Sequence, residues 1–392
     1  MAQNTPDHIL IIGAGIAGLV LAQGLRLHSI PFRLFERHPR SYRAQGHRFR
    51  ITKEAHGALK SVLPLDLQHL LIRTAPANST SQLQYVDARK LEFSQSTPPN
   101  TDSFPIDRRW IRLLATLDID DAIEYEKEFE SYECQDDRVR VKFLDGSTAC
   151  GMLLVGADGI KSRVRTQLQP TRKLLDLEHW VMWGRTPLTD SLKKDLPPDM
   201  LTWCMYLDDE ANVQMVVEPV MWPTSIQKDP EGRLPDFQDY IYWGTCTASF
   251  QYAEALPNTA EQRKAYLERM IENWHPLLKR MLAEASHEVS ACAPILSSKP
   301  DIELGLRSHT EPVTLVGDAA HAMSPMGASG GDTAIRNAVD LVQTIADGVT
   351  AKSIADFEAR MADRSKDKIE HSFRGGQKFW GKKEWTEYAE QQ

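Results

Sequence analysis

The sequence lacks a cysteine framework. Its five cysteines, Cys134, Cys150, Cys204, Cys246 and Cys292, are odd in number, scattered and never spaced C-x-x-C. This argues against a disulfide-stapled secreted domain and a zinc knuckle, and leaves reduced thiols that act as small core residues. Basic charge is not in excess either. A net charge of −8 gives no global footprint for nucleic acid. Long apolar runs are missing: Ile9 to Leu25 is short for a membrane span and is interrupted by four glycines. Met1 to His8 carries no basic leader, and no internal repeat is present. These absences predict a soluble, cytoplasmic protein with no bound metal.

What is present is ordinary in bulk and specific in pattern. At 392 residues, 42% hydrophobic and 26% charged, the chain suffices for two domains or one large composite one. His8 to Ile12 reads as a buried parallel strand. Gly13, Gly15 and Gly18 follow in G-x-G-x-x-G spacing, then a helix to His28, then the strand Phe32 to Glu36. Gly13 permits the tight turn, Gly15 the close approach of a pyrophosphate, and Gly18 close packing of helix on strand. Glu36 lies about twenty residues on, where a carboxylate reaches a ribose. Its charge disfavours a 2′-phosphate, so the site suits FAD or NAD rather than NADP.

Two further stretches carry the same kind of information. Met152 to Val155 is a buried strand that leads into Gly156-Ala157-Asp158-Gly159 and a helix start at Ser162 and Arg163, where a carboxylate can lock a neighbouring loop. Near the end, Leu315 to Asp332 reads as a strand, an acidic turn at Asp318, a glycine loop from Gly327 to Gly331 and a helix from about Asp332. Free N–H groups at a helix start favour negative charge, and Asp318 can accept hydrogen bonds from sugar-like hydroxyls. Between these motifs lie a basic segment, Arg43 to Ile51, before a helix at 53–63, and a short helix opening at Arg108, which shares a face with Arg112.

The region 170–289 differs. Strand-like segments at 180–187, 201–207, 213–219 and 240–250 alternate with proline-bearing loops and predict a separate, mostly antiparallel sheet rich in aromatics. Arg185 sits within a strand and needs a partner or solvent. Helices are expected over 259–285, broken near His275-Pro276, and again over 332–346 and 354–372.

The three motifs, in this order and covering the chain from end to end, resemble the single-component FAD-dependent monooxygenases, the aromatic hydroxylases and their secondary-metabolite members. The resemblance implies an α/β (α+β) fold: a Rossmann-like FAD-binding domain in three parts (1–75, 104–175, 290–350), an inserted, mostly antiparallel β-sheet substrate domain (76–103, 176–289) and a C-terminal helical segment (351–392). It implies an FAD cofactor, with NADH or NADPH as transient donor. Through a C4a-hydroperoxyflavin, O2 would hydroxylate or epoxidise an electron-rich aromatic, polycyclic or alkene small molecule, with Baeyer–Villiger-type insertion also open. The expected FAD contacts are Gly13, Gly15, Gly18, Glu36, Arg37, Arg48 or Arg50, Arg108, Asp158, Asp318, Pro325, Gly327, Gly330 and Gly331. Arg185, with Tyr206 and Tyr242, is expected to face the substrate, and His321 to line the flavin edge with Pro325. The chain departs from the family at Asp332, where relatives carry Asn, and at Asn337, where many carry an acid. An inward Asp332 would repel an anionic reduced flavin; at the helix start it could instead be an N-cap. The alternatives are a reductase or dehydrogenase of the same fold, or a flavin-retaining scaffold or cyclase without NAD(P)H turnover. A flavin-dependent halogenase would need a Trp-x-Trp-x-Ile-Pro segment, which the sequence lacks.

Overall fold

The computed structural model describes residues 8–42, 46, 48–77, 82–98, 102–135, 137–222, 231–248, 251, 255–300, 311–377 and 383–391. Outside the described residues lie most of Met1 to His8, Arg43 to Gln45 and His47 of the basic segment, 249–250 of the expected strand, and parts of the expected loops and tail.

The first layer is a five-stranded parallel sheet in the order Val313–Leu315, Leu153–Gly156, Ile9–Ile12, Phe32–Glu36, Ile123–Tyr125. Its central strands are apolar and buried along their whole length, because helices or a small sheet cover both faces. The Ile16–Leu27 helix packs on the Gly330–Ala346 helix, and Gly24 makes that approach possible: an added Cβ would lie 2.3 Å from a Val342 methyl. Phe129–Gln135, Arg138–Phe143 and Thr148–Gly151 form a small three-stranded meander. The parallel strands all end at one edge of the sheet, where Gly13, Glu36, Gly156 and Val316 converge from sequence positions up to three hundred apart. Ligands of open α/β sheets bind at this carboxyl edge.

The second layer is a mostly antiparallel roof. Its strands run in the order Ala291–Ser297, Leu174–Pro187, Tyr240–Ala248, Val213–Val220, Cys204–Asp208, Gln84–Asp87, Phe93–Ser96, with Glu390–Gln391 added on Leu174–Pro187. Gln84–Asp87 and Phe93–Ser96 form an antiparallel hairpin within the roof. Side chains alternate across the roof. Met182, Tyr206, Met215, Val217, Ile241 and Trp243 point away from the parallel sheet into a core closed by the Ala260–Met270 and Pro276–Ala283 helices. Arg185 and Tyr242 stand directly opposite one another on the other face, with Glu218 facing Tyr242 from the next strand.

The basic segment differs from expectation. Arg48–Thr52 is a strand, paired antiparallel with Ser103–Asp107. Arg48 and Arg50 are buried under the roof, where Glu218 supplies them with a partner. The C-terminal Ala351–Gly376 helix is longer than its apolar pattern predicted, opening with a Thr350/Ser353 capping box.

Candidate active site

The glycine loop is shaped by contacts that leave no room for side chains. Gly13 has φ +106°, and a Cβ there would lie 2.5 Å from the Ala157 carbonyl oxygen. At Gly18 a Cβ would lie 2.0 Å from the Gly13 carbonyl oxygen. Gly15, by contrast, has nothing closer than that same Ala157 oxygen at 3.9 Å. It precedes the Ile16–Leu27 helix, whose start has no side-chain cap, so the first-turn N–H groups face open space. The Glu36 carboxylate accepts the Ala14 N–H at 2.9 Å and the His38 N–H at 3.0 Å. Each oxygen keeps a further lone pair. Arg37 beside it is exposed, with its Nε on the His38 ring at 3.2 Å.

Asp158 accepts hydrogen bonds from the Ser162 hydroxyl and from the N–H groups of Arg163 (2.8 Å) and Val164 (3.3 Å). It therefore locks the loop onto the Arg163–Leu168 helix, and burial pushes its carboxyl above the usual range against those bonds.

Further along the edge, Arg108 opens the Arg108–Thr116 helix with Asp107 as N-cap, accepting from Trp110 N–H at 2.7 Å. The Arg108 guanidinium is exposed, lies 5.2 Å from the centre of the Phe49 ring and has no hydrogen bond or ion pair among the described residues. Asp318 has no hydrogen-bond partner there either. Its side chain is reachable by solvent yet crowded by protein, as on the floor of a groove; the crowding raises its carboxyl pKa, opposed by the charges of Arg108 and Arg165. The turn is set by Gly317, at φ +66°. Pro325 is exposed, and Ala328 takes a left-handed φ of +49°. Gly327 packs on Ser372, Gly331 packs on the Phe49 ring, and Gly330 is open on its free side. The Gly330–Ala346 helix starts without a side-chain cap.

The roof closes over these residues. Trp183 and Arg108 both border Gly46. Among the described residues, Trp183 Nε1 is buried without a partner and the Tyr242 hydroxyl has none. Arg185 lies 5.7 Å from the Tyr240 ring centre and has no ion pair among the described residues, while the Tyr240 hydroxyl donates to Asp107 at 2.6 Å. Burial lifts the Tyr242 hydroxyl above its ordinary pKa, so it stays a proton donor at neutral pH.

Several expectations need correction. Tyr206 is 1% exposed and on the far face of the roof, so it cannot meet anything in the groove. His321 is wholly buried: its Nε2 meets the Asn337 amide at 2.9 Å and burial pushes its pKa down to about 4, so it is a neutral core residue. Asn337 is thereby explained as its partner, held in turn by Arg364. Asp332 neither faces the groove nor caps its own helix. It accepts the Thr52 N–H at 2.7 Å and the Thr52 hydroxyl at 2.8 Å, pinning the Arg48–Thr52 strand. The like-charge repulsion expected there does not arise. The choice between Arg48 and Arg50 also dissolves. Both bind Glu218, which is 1% exposed; Arg50 adds Ser103 at 2.6 Å and stacks 5.0 Å from Trp203. Burial pushes Arg48 down to about 9 and Arg50 to about 10. Both remain cations at neutral pH, joining the two layers.

Glu218, Phe49 and Thr52 were not singled out from sequence. For Glu218 the signal existed: a lone carboxylate inside Met215-Val216-Val217-Glu218-Pro219-Val220 needs a partner for the same reason as Arg185 does.

Two uncapped helix starts, a recessed carboxylate and an unpaired guanidinium line one edge of a parallel sheet beneath an aromatic roof. This is the architecture of a two-layer flavoprotein. The chain belongs to the FAD binding domain family, whose profile matches residues 7–224 and 303–356. It is 28% identical to a dual O-methyltransferase/FAD-dependent monooxygenase of Phaeosphaeria nodorum over 97% of this chain and 46% of that protein. It is 25% identical to an aurachin C monooxygenase/isomerase of Stigmatella aurantiaca over 94% and 88%. The chain spans about half the length of the dual-function curated relatives it matches. Among solved structures it resembles a FAD-containing monooxygenase candidate from Photorhabdus luminescens (TM-score 0.80, 27% identity, 94% and 97% covered). It shares the fold of Klebsiella pneumoniae HpxO solved with FAD and uric acid (TM-score 0.75, 20% identity, 96% and 89% covered). Among the described residues no helix is long and apolar enough to cross a membrane, and no cluster could hold a metal ion.

Proposed function

We propose that this chain is the catalytic unit of a FAD-dependent monooxygenase that uses NADH or NADPH and O2 to hydroxylate or epoxidise an electron-rich aromatic or polycyclic small molecule of secondary metabolism. The observation that carries the reading is the opposition of two surfaces. One is a backbone-donor groove with free Arg108 and Asp318. The other is a roof face presenting Trp183, Arg185 and Tyr242. The residues fit FAD. The N–H groups after Gly15 would receive the pyrophosphate, Glu36 the ribose and Asp318 the ribityl hydroxyls. The uncapped start at Gly330 and Gly331 would meet the pyrimidine edge.

Bound FAD would take reducing equivalents from the nicotinamide donor and, with O2, supply the oxygen atom transferred. The protein positions the two reactants and excludes water. Helix-start N–H groups at Gly330 favour negative charge on the reduced ring. The Tyr242 hydroxyl and the Arg185 guanidinium, on adjacent strands, would orient an oxygenated substrate from above.

The test is single-turnover product analysis under 18O2 with a panel of phenolic and polycyclic substrates. One labelled oxygen in a product formed only with NADH or NADPH is expected. Substrate oxidation without oxygen uptake would replace this reading with a dehydrogenase.

A further inference from the structure

Two arginines outside the groove, Arg165 buried and Arg172 half-buried, form no ion pair among the described residues. Arg165 is 2% exposed; its Nη1 donates to the Ala319 carbonyl at 3.4 Å and its Nη2 to the Ile160 carbonyl at 2.8 Å. Arg172 donates through Nη2 to the Ala320 carbonyl, and through Nη1 to Gln169 Oε1 at 2.9 Å. Its Nη2 also reaches Ser298 Oγ at 3.4 Å, while its Nε is buried without a partner among the described residues. Glu358 lines the same ≈10 Å³ cavity as Arg172 but forms no ion pair with it; its Oε1 accepts from Thr314 at 2.7 Å.

Ala319 and Ala320 belong to the one-turn Asp318–His321 helix, so both guanidiniums grip carbonyls that such a short helix leaves unsatisfied. The Asp318 side chain has no hydrogen bond of its own among the described residues. Its place is therefore set by the turn that carries it, and the turn is held from behind by Arg165 and Arg172. We propose that Arg172 is a positioning residue for the flavin: by anchoring the Ala320 carbonyl it fixes Asp318 where the ribityl chain must bind. The inference rests on the flavin reading above.

Burial pushes Arg172 down to about 9, which leaves it charged at neutral pH. An ion-assisted bond to a carbonyl is about twice as strong as a neutral one, and among the described residues no other donor is bonded to the Ala320 carbonyl.

The experiment is a double-mutant cycle on FAD affinity, measured by titrating the full-length apoprotein with FAD and following flavin fluorescence, with apoprotein melting curves as the check on folding. Arg172→Met is expected to weaken FAD binding about ten-fold. Arg172→Lys keeps the charge and one donor and should restore most of the affinity. In the Asp318→Ala background the Arg172→Met change should cost less than about two-fold, because the residue it acts through is gone. If Arg172→Met does not fold, the cycle is run with Arg172→Lys, expected at about three-fold alone and about none with Asp318→Ala. Equal losses in both backgrounds would make Arg172 merely structural and overturn the proposal, as would wild-type affinity in the Met variant. A wild-type protein that takes up no FAD would instead overturn the flavin reading, and this inference with it.

Discussion

In the proposed site the groove and the roof would hold a flat ligand by different means. In the groove the backbone does it. Gly13 and Gly18 are excluded from carrying side chains by carbonyls 2.5 and 2.0 Å from where a Cβ would stand, and the ligand-facing groups are N–H donors at helix starts. In the roof, side chains do it, and which ones depends on the parity of each strand. Tyr206 is a buried and Tyr242 a half-buried tyrosine, each in an apolar strand. One points into a closed core and the other into the cleft. A backbone site is fixed by spacing and survives as a motif, whereas a strand-face site changes sides with a shift of one residue.

This contrast can be broken at several points. The largest effect is expected from Gly18→Val, which places atoms inside the Gly13 carbonyl. Purification should give protein without FAD, and a yellow, soluble variant would show that the loop can yield. Next is Glu218→Leu, which strands two buried guanidiniums. Removing one partner of a buried ion pair costs roughly 3–5 kcal/mol, so denaturant unfolding should shift by about that amount. A shift under about 1 kcal/mol would mean that the arginines find water or another acid.

His321 gives a pH dependence. Its folded pKa is about 4 against an ordinary 6.5, so the unfolded chain binds the proton first. Stability is full above about pH 6.5, falls as pH drops through 6.5 toward 4, and levels below that, with a span of at most about 3 kcal/mol. His321→Gln should flatten that slope in urea titrations at pH 4.5 and 7; an unchanged slope would assign it to other groups. The smallest effect is the parity test itself. Tyr242→Phe should lower coupling of NAD(P)H oxidation to product by about ten-fold, and Tyr206→Phe by less than about two-fold, since only one hydroxyl faces the cleft. The reverse order would invert the assignment of roof faces.

Much of the parallel layer was readable for the same reason. Buried strands, glycine spacing, Glu36 and the Asp318 turn are local features. Their convergence follows from the rule that parallel strands end at one edge. The antiparallel character of 170–289 was readable as well. The partners were not. Arg48 and Glu218 are 170 residues apart, and Thr52 and Asp332 are 280 apart. Nothing in either short segment states that it will meet the other. His321 was misread because its neighbours in sequence lie along the groove, while its ring turns inward to Asn337. Asp332 looked like a departure bearing on the cofactor because its position in the helix is legible and its rotamer is not.

The most direct test of the account is the absorbance spectrum of the purified protein reconstituted with FAD, followed by addition of NADPH or NADH in air. The account predicts a bound flavin spectrum that either donor bleaches and oxygen restores, faster when an aromatic substrate is present. A protein that takes up no FAD when supplied would contradict it, as would bound FAD that neither donor reduces with any of the substrate panel present.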